Sequence, residues 1–313
     1  MNGYLNNLPC RMIVPHNQSA SKILTLLVVF WSTASTTAVA SDLYSHDSPW
    51  LSRYDSTKAE WKIVGSTSLN TSIEDLSYRP GDMTYLYALE NSRENGLSES
   101  RIVKINRHTG RQSYLPFSFD KAALGFSEVF STGIAISPLT PSIAVVIGFD
   151  AGYATSSTYG QRFLWHANTN TGEVIGGLRP IPRISSPLTY DPSGTVLYAA
   201  DIEGRIITID ESTGIFTIVG DPMLSSFIEG LAFRPEDGTL FAINGYSIDQ
   251  LVTLDSGNGF LQSVVSDLPF GGMHGLAFMP SIPEPSSAAL TVLGMASISV
   301  RRLSAKWHCR AAR

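Results

Sequence analysis

The sequence predicts an all-β chain in which five repeats, each of four short antiparallel strands, close into a ring. Two repeated signatures and a match between the two ends of the repeat region lead to this prediction. The chain has 313 residues, of which 43% are hydrophobic and 16% charged, a composition typical of a folded protein. Its two cysteines, Cys10 and Cys309, lie near the ends. The central part therefore has no thiol for a disulfide, a zinc site or a nucleophile.

The first signature is a strand-like pentapeptide that begins with Leu or Ile and ends with Pro. Successive prolines are 58, 54, 43 and 45 residues apart. Proline suits the end of a strand, where no backbone N–H is needed for pairing, so each copy predicts the end of a first strand, A. Its aromatic third position predicts packing between sheets. The copies are residues 76–80, 134–138, 188–192, 231–235 and 276–280, and the aromatic residues are Tyr78, Tyr190, Phe233 and Phe278.

The second signature is an alternating strand that ends in Asp or Asn and is followed four residues later by Gly. Asp and Asn accept hydrogen bonds from the backbone just downstream, and Gly tolerates positive φ, so this pattern predicts a tight hairpin between strands C and D. Leu-Tyr-Ala-like triplets between the two signatures predict strand B, with a degraded copy at 144–146. The hairpin pairs are Asn106 and Gly110, Asn168 and Gly172, Asp210 and Gly214, Asp255 and Gly259, and the degenerate Asp55 and Ala59.

The two ends of the repeat region predict how the ring closes. Residues 42–47 match strand B at 196–201, and residues 51–55 and 61–65 follow as strands C and D. The last copy stops after strand A, so the N-terminal strands B, C and D need the C-terminal strand A to complete their sheet. We therefore predict a five-bladed β-propeller over residues 41–281. It resembles the propeller family in general, and its D-x-x-T-G hairpins are similar to YVTN- and PQQ-type repeats.

The N-terminal 40 residues have the features of a secretory signal peptide. Lys22 precedes an apolar run at 23–30, and small residues lead to Ala-Val-Ala at 38–40, which predicts cleavage before Ser41. A membrane anchor is the alternative, although the run is shorter than the ~20 apolar residues of a spanning helix. The start is either Met1 or Met12.

The C-terminal residues 282–313 carry three features in order: a Pro-Glu-Pro triplet, a weakly apolar stretch at 286–300, and a basic cluster. This order resembles the PEP-CTERM sorting signal of bacterial exported proteins. The resemblance implies transient anchoring in the inner membrane, an exosortase-type protease as partner, and a final place at the cell surface or outside the cell. A chance triplet in a frayed tail is the alternative. The sorting residues are Pro283, Glu284, Pro285, Arg301 and Arg302.

The charge of the central part excludes one class of partner. Residues 41–285 contain 15 basic and 27 acidic residues, a formal net charge of −12. Nucleic acids and anionic membrane surfaces require a basic binding surface. We therefore expect no nucleic-acid partner.

The predicted strand order places a candidate site at one mouth of the central channel. The D-to-A and B-to-C connections share a face, and B-to-C loops near residues 90–100 and 149–160 are expected to overhang it. The position two residues before each strand-A signature lies at this mouth. Together these give the candidate binding residues Glu74, Thr132, Ser186, Glu229, His274, Tyr153 and Tyr159.

Three of these candidates could also perform catalysis. Glu74, Glu229 and His274 combine two carboxylates with an imidazole, which suits acid–base chemistry or metal binding. The alternative is that they hydrate the channel mouth or bind loop amides. The sequence has no sequential metal motif and no catalytic signature, so no metal or cofactor is predicted.

These observations predict an exported propeller that binds a polysaccharide or an envelope protein and is not an enzyme. A glycoside-hydrolase-like enzyme is one alternative, because five-bladed propellers include such enzymes. A purely structural surface protein is the other.

Overall fold

The computed structural model describes residues 41–280, apart from residues 48, 57, 68–71, 95–96, 152–160, 182–183, 223–226, 246–249 and 270–271. The predicted signal peptide and sorting tail lie outside the described residues, as do Tyr153 and Tyr159.

The described strands form five antiparallel sheets of four strands each, which confirms the predicted five-bladed propeller. The inner strands of neighbouring blades lie side by side around a central axis. Blades 1 and 2 consist of β1 (Ser41–Asp47), β2 (Trp50–Asp55), β3 (Glu60–Ser66) and β20 (His274–Pro280), and of β4 (Ser72–Tyr78), β5 (Tyr85–Glu94), β6 (Leu97–Asn106) and β7 (Gln112–Tyr114).

The other three blades are each continuous in sequence, and strand A lies innermost in each of them. Blade 3 comprises β8 (Val129–Ile136), β9 (Ile143–Asp150), β10 (Arg162–Asn168) and β11 (Val174–Ile181); blade 4 comprises β12 (Ile184–Tyr190), β13 (Leu197–Asp201), β14 (Ile206–Ile209) and β15 (Phe216–Gly220); blade 5 comprises β16 (Ile228–Phe233), β17 (Leu240–Asn244), β18 (Gln250–Leu254) and β19 (Leu261–Asp267).

Blade 1 closes the ring as predicted. The N-terminal strand β1 pairs with the C-terminal strand β20, with Ser41 opposite Pro280 and Leu43 opposite Phe278. Because β1 also pairs with β2, the first and last described strands lie within a complete sheet.

The predicted C-to-D hairpins are formed by local hydrogen bonds. Asn106 Oδ1 accepts the backbone N–H groups of His108 and Thr109, and Asp210 Oδ1 accepts that of Ser212. The Gly at the fifth position of each pattern has positive φ, for example 70° at Gly110. In the degenerate copy Ala59 occupies this position with φ 51°, the only positive φ among the described non-glycine residues.

We expect the substitution Ala59→Gly to raise the free energy of unfolding by about 0.5–1 kcal/mol, because a left-handed residue with a Cβ is strained by roughly 1–2 kcal/mol and glycine returns part of that gain as chain entropy. Equilibrium unfolding in denaturant measures the change. Gly81→Ala is the matched control, since Gly81 has φ 88° and open space around it. It should destabilise the protein; a destabilised Ala59→Gly variant would contradict the account.

One predicted loop is instead regular structure. The expected B-to-C loop near 90–100 is occupied by the ten-residue strands β5 and β6, which pair along their whole length. Polar partners extend the hairpin beyond its apolar part: Arg101 Nε donates to Glu90 at 2.5 Å, and Ser100 Oγ donates to Asn91. The prediction of a loop was wrong, because these polar residues pair across the two strands.

The core is divided among five apolar clusters, each between two neighbouring blades. The one between blades 2 and 3 contains fully buried Trp165, whose ring meets Phe119 edge-on at 5.5 Å. The connection before blade 3 carries the short helix α1 (Lys121–Leu124), capped by Asp120, and buries Leu124 in the same cluster. Within the described part of the chain, no helix is long and apolar enough to cross a membrane.

Candidate functional site

The predicted channel-mouth residues lie on the five inner strands, and each strand is irregular there. The pairing register shifts between Ile73 and Leu76 in β4, between Ser131 and Gly133 in β8, and between Ile228 and Gly230 in β16. Comparable shifts occur in β12 and in the β1–β20 pair. A β-bulge leaves a residue unpaired and redirects its side chain, and such bulges are common next to functional sites. We call this end of the ring the bulge face.

The structure brings two of the predicted residues together on the bulge face. Glu229 Oε2 lies 3.9 Å from His274 Nδ1, on the neighbouring strands β16 and β20. Solvent reaches the pair from the His274 side chain, which is 39% exposed, whereas Glu229 is 20% exposed and its Oε2 is buried. It could bind a polar group or transfer a proton.

The remaining described candidates, Glu74, Thr132 and Ser186, lie on the other three inner strands. Glu74 is half-buried and accepts a hydrogen bond from Ser72 Oγ at 2.5 Å. Its strand is the other neighbour of β20, so His274 lies between the two glutamates around the ring. Thr132 is buried, with Oγ1 3.5 Å from the carbonyl of Ile147. Ser186 lies on β12. Their role in binding stays a prediction.

A second histidine lies beneath the pair. His46 is fully buried, opposite His274 in the β1–β20 pairing, and its Nε2 is 2.9 Å from Thr67 Oγ1. Burial, with a smaller effect of nearby His274, lowers the pKa of His46 to about 3. His46 is therefore neutral at physiological pH and carries no charge toward the Glu229–His274 pair.

The axis itself is closed by a residue that the sequence interpretation missed. Asp75 is fully buried at the centre of the ring. Its carboxylate accepts backbone N–H groups from three inner strands: Leu76 at 2.9 Å, Ile134 at 2.9 Å and Leu188 at 3.2 Å. Burial raises the pKa of Asp75 well above its ordinary value, while the backbone donors act in the opposite direction. Asp75 thus links blades 2, 3 and 4 across the axis.

A signal for Asp75 is present in the sequence. It immediately precedes the strand-A signature, and the equivalent residues of the other blades are Gly133, Pro187, Gly230 and Gly275. Four blades therefore have Gly or Pro at this position, and blade 2 alone has a carboxylate there. A Cβ on Gly275 would lie 2.5 Å from the Leu76 nitrogen and 2.8 Å from the Asp75 Cα, so the small residue makes room for the Asp75 segment.

On the other side of Asp75 the axis opens into a cavity of about 240 Å³, which we call the cup. It lies where the inner strands end, on the face of the A-to-B connections and C-to-D turns, which we call the proline face. Leu76, Leu188 and Leu276 line its inner part. Its rim has one proline from each blade: Pro80, Pro138, Pro192, Pro235 and Pro280.

The aromatic residues of the strand-A signature pack between neighbouring blades, as predicted, and also contribute to the wall of the cup. Phe233 meets Tyr198 at 5.0 Å, Phe278 meets Phe241 at 5.2 Å, and the Tyr190 hydroxyl donates to Glu211 at 2.6 Å. Because these rings are fixed by neighbours, the cup is held in shape by the cores of the blades.

Across the described residues, no three His, Cys, Asp or Glu side chains come together in a way that could hold a metal ion.

No protein-family model and no curated protein matches this chain. Among solved structures, a protein of unknown function from Bacteroides thetaiotaomicron is similar with a TM-score of 0.46 and 11% identity, over 78% of this chain and 62% of that one. The Dos1 propeller is similar with a TM-score of 0.35 and 10% identity, over 74% of this chain and 69% of that one. This chain therefore spans less than two thirds of the Bacteroides protein.

Proposed function

We propose that this chain is an exported binding protein of the cell envelope, sorted by a PEP-CTERM tail, whose propeller takes a ligand on its axis. The observation that carries the proposal is the cup, a concave site on the ring axis that is lined by residues of all five inner strands. Concave sites with a mostly apolar lining and a few polar groups are typical of ligand binding. We propose no nucleic-acid partner, because residues 41–285 carry a net negative charge.

The lining of the cup favours a protein ligand over a polysaccharide. Leucines, prolines and aromatic rings make up most of it, with Ser77, Thr189 and Asp191 as polar members. Asp191 is already engaged by its own turn, where it accepts the N–H groups of Thr195 and Val196. A sugar needs partners for many hydroxyl groups, whereas an apolar side chain of a partner protein needs only the apolar wall.

We expect Pro235→Trp to abolish ligand capture, because Pro235 is exposed on the rim and an indole there obstructs the cup. The full chain would be immobilised and exposed to solubilised envelope proteins and to a glycan array. Ile202→Trp is the matched control, since Ile202 is 39% exposed in the B-to-C turn of blade 4, on the bulge face. Capture that persists in Pro235→Trp and is lost in Ile202→Trp would move the site to the bulge face.

The sorting proposal has its own test. Deleting residues 283–313 should shift the protein from the membrane fraction to the soluble exported fraction, because the apolar stretch and its basic flank are the only proposed anchor. Fractionation of cells that export the full chain and the truncated chain measures this. Replacing Arg301 and Arg302 by Gln tests the basic flank separately. Equal membrane retention of the full and truncated chains would refute the proposed tail.

A further inference from the structure

The negative charge of the proline face is concentrated on two neighbouring blades. The A-to-B and C-to-D connections of blades 4 and 5 contain six carboxylates and one arginine, a formal net charge of −5. The same connections of blades 2 and 3 contain three arginines and two carboxylates, a net charge of +1. The first set, which we call the acidic sector, comprises residues 191–196, 210–215, 234–239 and 255–260, and the second comprises residues 79–84, 107–111, 137–142 and 169–173.

Several carboxylates of the acidic sector lie at the wall or the rim of the cup. Asp191 is itself a lining residue. Glu211 accepts a hydrogen bond at 2.6 Å from the hydroxyl of Tyr190, which is another lining residue. Glu236 directly follows the exposed rim residue Pro235. A ligand that enters the cup therefore passes three carboxylates on the side of blades 4 and 5.

The acidic sector keeps its negative charge at physiological pH. A hydrogen bond from the Ser212 side chain lowers the pKa of Asp210, and one from Arg234 lowers the pKa of Asp237. Arg234, the only base of the sector, is thus already paired with one of its carboxylates. Blade 3 adds Arg179, whose Nε donates to the Ser212 carbonyl, and the sum of charges is still negative. The potential over this half of the proline face is therefore negative.

The same sector exposes apolar side chains. Ile215 is 67% exposed and Phe260 is 55% exposed, each at the end of a C-to-D turn. Pro192 and Pro235, the rim prolines of these two blades, are exposed as well. Strands spaced by ~4.8 Å place the C-to-D turns roughly 12 Å outside the inner strand. An extended peptide of about four residues spans that distance, so one segment can reach from the cup to these turns.

We propose that the acidic sector selects the ligand of the cup, a protein segment whose apolar side chain enters the cup while lysine or arginine residues beside it lie over blades 4 and 5. The inference rests on the proposed function, because it requires the cup to take a side chain of a partner protein. Complementary charges across an interface speed association and disfavour partners of the wrong charge. An acidic segment of equal apolar content is repelled by the same carboxylates.

A displayed peptide library tests the charge preference. Short peptides with a central Leu, Ile, Phe or Trp and randomised flanks are selected on the immobilised full chain, and clones are kept when Pro235→Trp abolishes their binding. We expect the flanks of these clones to be enriched in Lys and Arg and depleted in Asp and Glu relative to the unselected library. Retained clones without this enrichment overturn the inference and leave the proposed function intact. If no clone is sensitive to Pro235→Trp, the cup is not a protein-binding site, and the inference falls with it.

Two isosteric substitutions locate the preference in the acidic sector. In the double variant Glu236→Gln, Asp210→Asn, the amide oxygens still accept the hydrogen bonds that the carboxylates accept. Asn already occupies the position of Asp210 in blades 2 and 3, as Asn106 and Asn168. Removing two charges about 10 Å from a ligand cation should raise the dissociation constant of a selected basic peptide roughly fivefold at low salt, and high salt should reduce the difference.

The matched control removes two charges from the bulge face of the same blades. Glu203 lies in the B-to-C turn of blade 4 and Asp267 ends the outer strand of blade 5, and both are exposed. The double variant Glu203→Gln, Asp267→Asn should bind the peptide as the wild type does. A dissociation constant that is unchanged in Glu236→Gln, Asp210→Asn, or that rises equally in both double variants, overturns the inference.

Discussion

Replacing Asp75 with alanine is expected to lower the free energy of unfolding by about 3–5 kcal/mol, because it leaves three buried backbone N–H groups without an acceptor at roughly 1–3 kcal/mol each, partly offset by removal of a buried charge. The three donors belong to the inner strands of three blades. Equilibrium unfolding in denaturant measures the loss. Glu74→Ala is the matched control, since the neighbouring side chain is half-buried and its hydrogen bond is to Ser72.

Asp75→Asn separates the hydrogen bonds from the charge. The amide oxygen of Asn still accepts hydrogen bonds from backbone N–H groups, whereas its NH2 group cannot accept one from the third backbone N–H. The decrease in the free energy of unfolding should therefore be smaller than in Asp75→Ala. If Asp75→Ala unfolds at the same denaturant concentration as Glu74→Ala, the carboxylate does not hold the blades together across the axis.

The pH dependence of stability follows from the direction of the pKa shift. Burial raises the folded-state pKa of Asp75 well above its ordinary 3.8, and the charge of Glu74 adds to this effect. Between the unfolded and folded pKa values the native state binds more protons, so the free energy of unfolding falls as pH rises from about 3.8 upward. Relative to Asp75→Asn, the wild-type protein should lose stability across this window.

The blades were predictable because the signals that define them are local. Each strand A ends at a proline or two residues before one, and each C-to-D hairpin is formed by an Asx residue and a positive-φ position four residues on. The residues that interact in each hairpin lie within a few positions of one another, so a local sequence pattern contains both partners. The closure was predictable for a related reason: the ends of the repeat region carry complementary fractions of one repeat.

The closure of the axis depends on contacts that no local pattern contains. Asp75 meets Ile134 and Leu188 across 59 and 113 residues of chain, and only the closed ring brings them together. The cup has the same origin, because its rim is made of the prolines that mark the strand ends. Taken one by one, those prolines predict only strand ends, and the candidate residues predicted from the sequence lie on the bulge face instead. The available signal for the cup was the proline that recurs near the end of the inner strand in all five blades.

Removing the Arg107 side chain is the other change with a large expected effect. The side chain is 2% exposed and binds the Asp42 carboxylate and the Pro280 carbonyl across 65 and 173 residues of chain. Removing Arg107 takes a donor from the Pro280 carbonyl and from the 23% exposed Asp42 carboxylate, at roughly 1–3 kcal/mol for each group left unpaired, and we expect Arg107→Ala to lower the free energy of unfolding by about 2–4 kcal/mol. Arg107→Lys should be intermediate, because an ammonium cannot bind both acceptors with a fixed fork.

Arg53→Ala is the matched control, because Arg53 faces the same Asp42 carboxylate at 3.8 Å with a side chain that is 42% exposed. An exposed ion pair contributes about 0–1 kcal/mol, so this variant should be nearly as stable as the wild type. Amide hydrogen exchange locates the effect: in Arg107→Ala, β1 and β20 should lose protection while β13 and β14 keep theirs. Equal loss of protection in all four strands would mean that Arg107 stabilises the whole ring and not its closure.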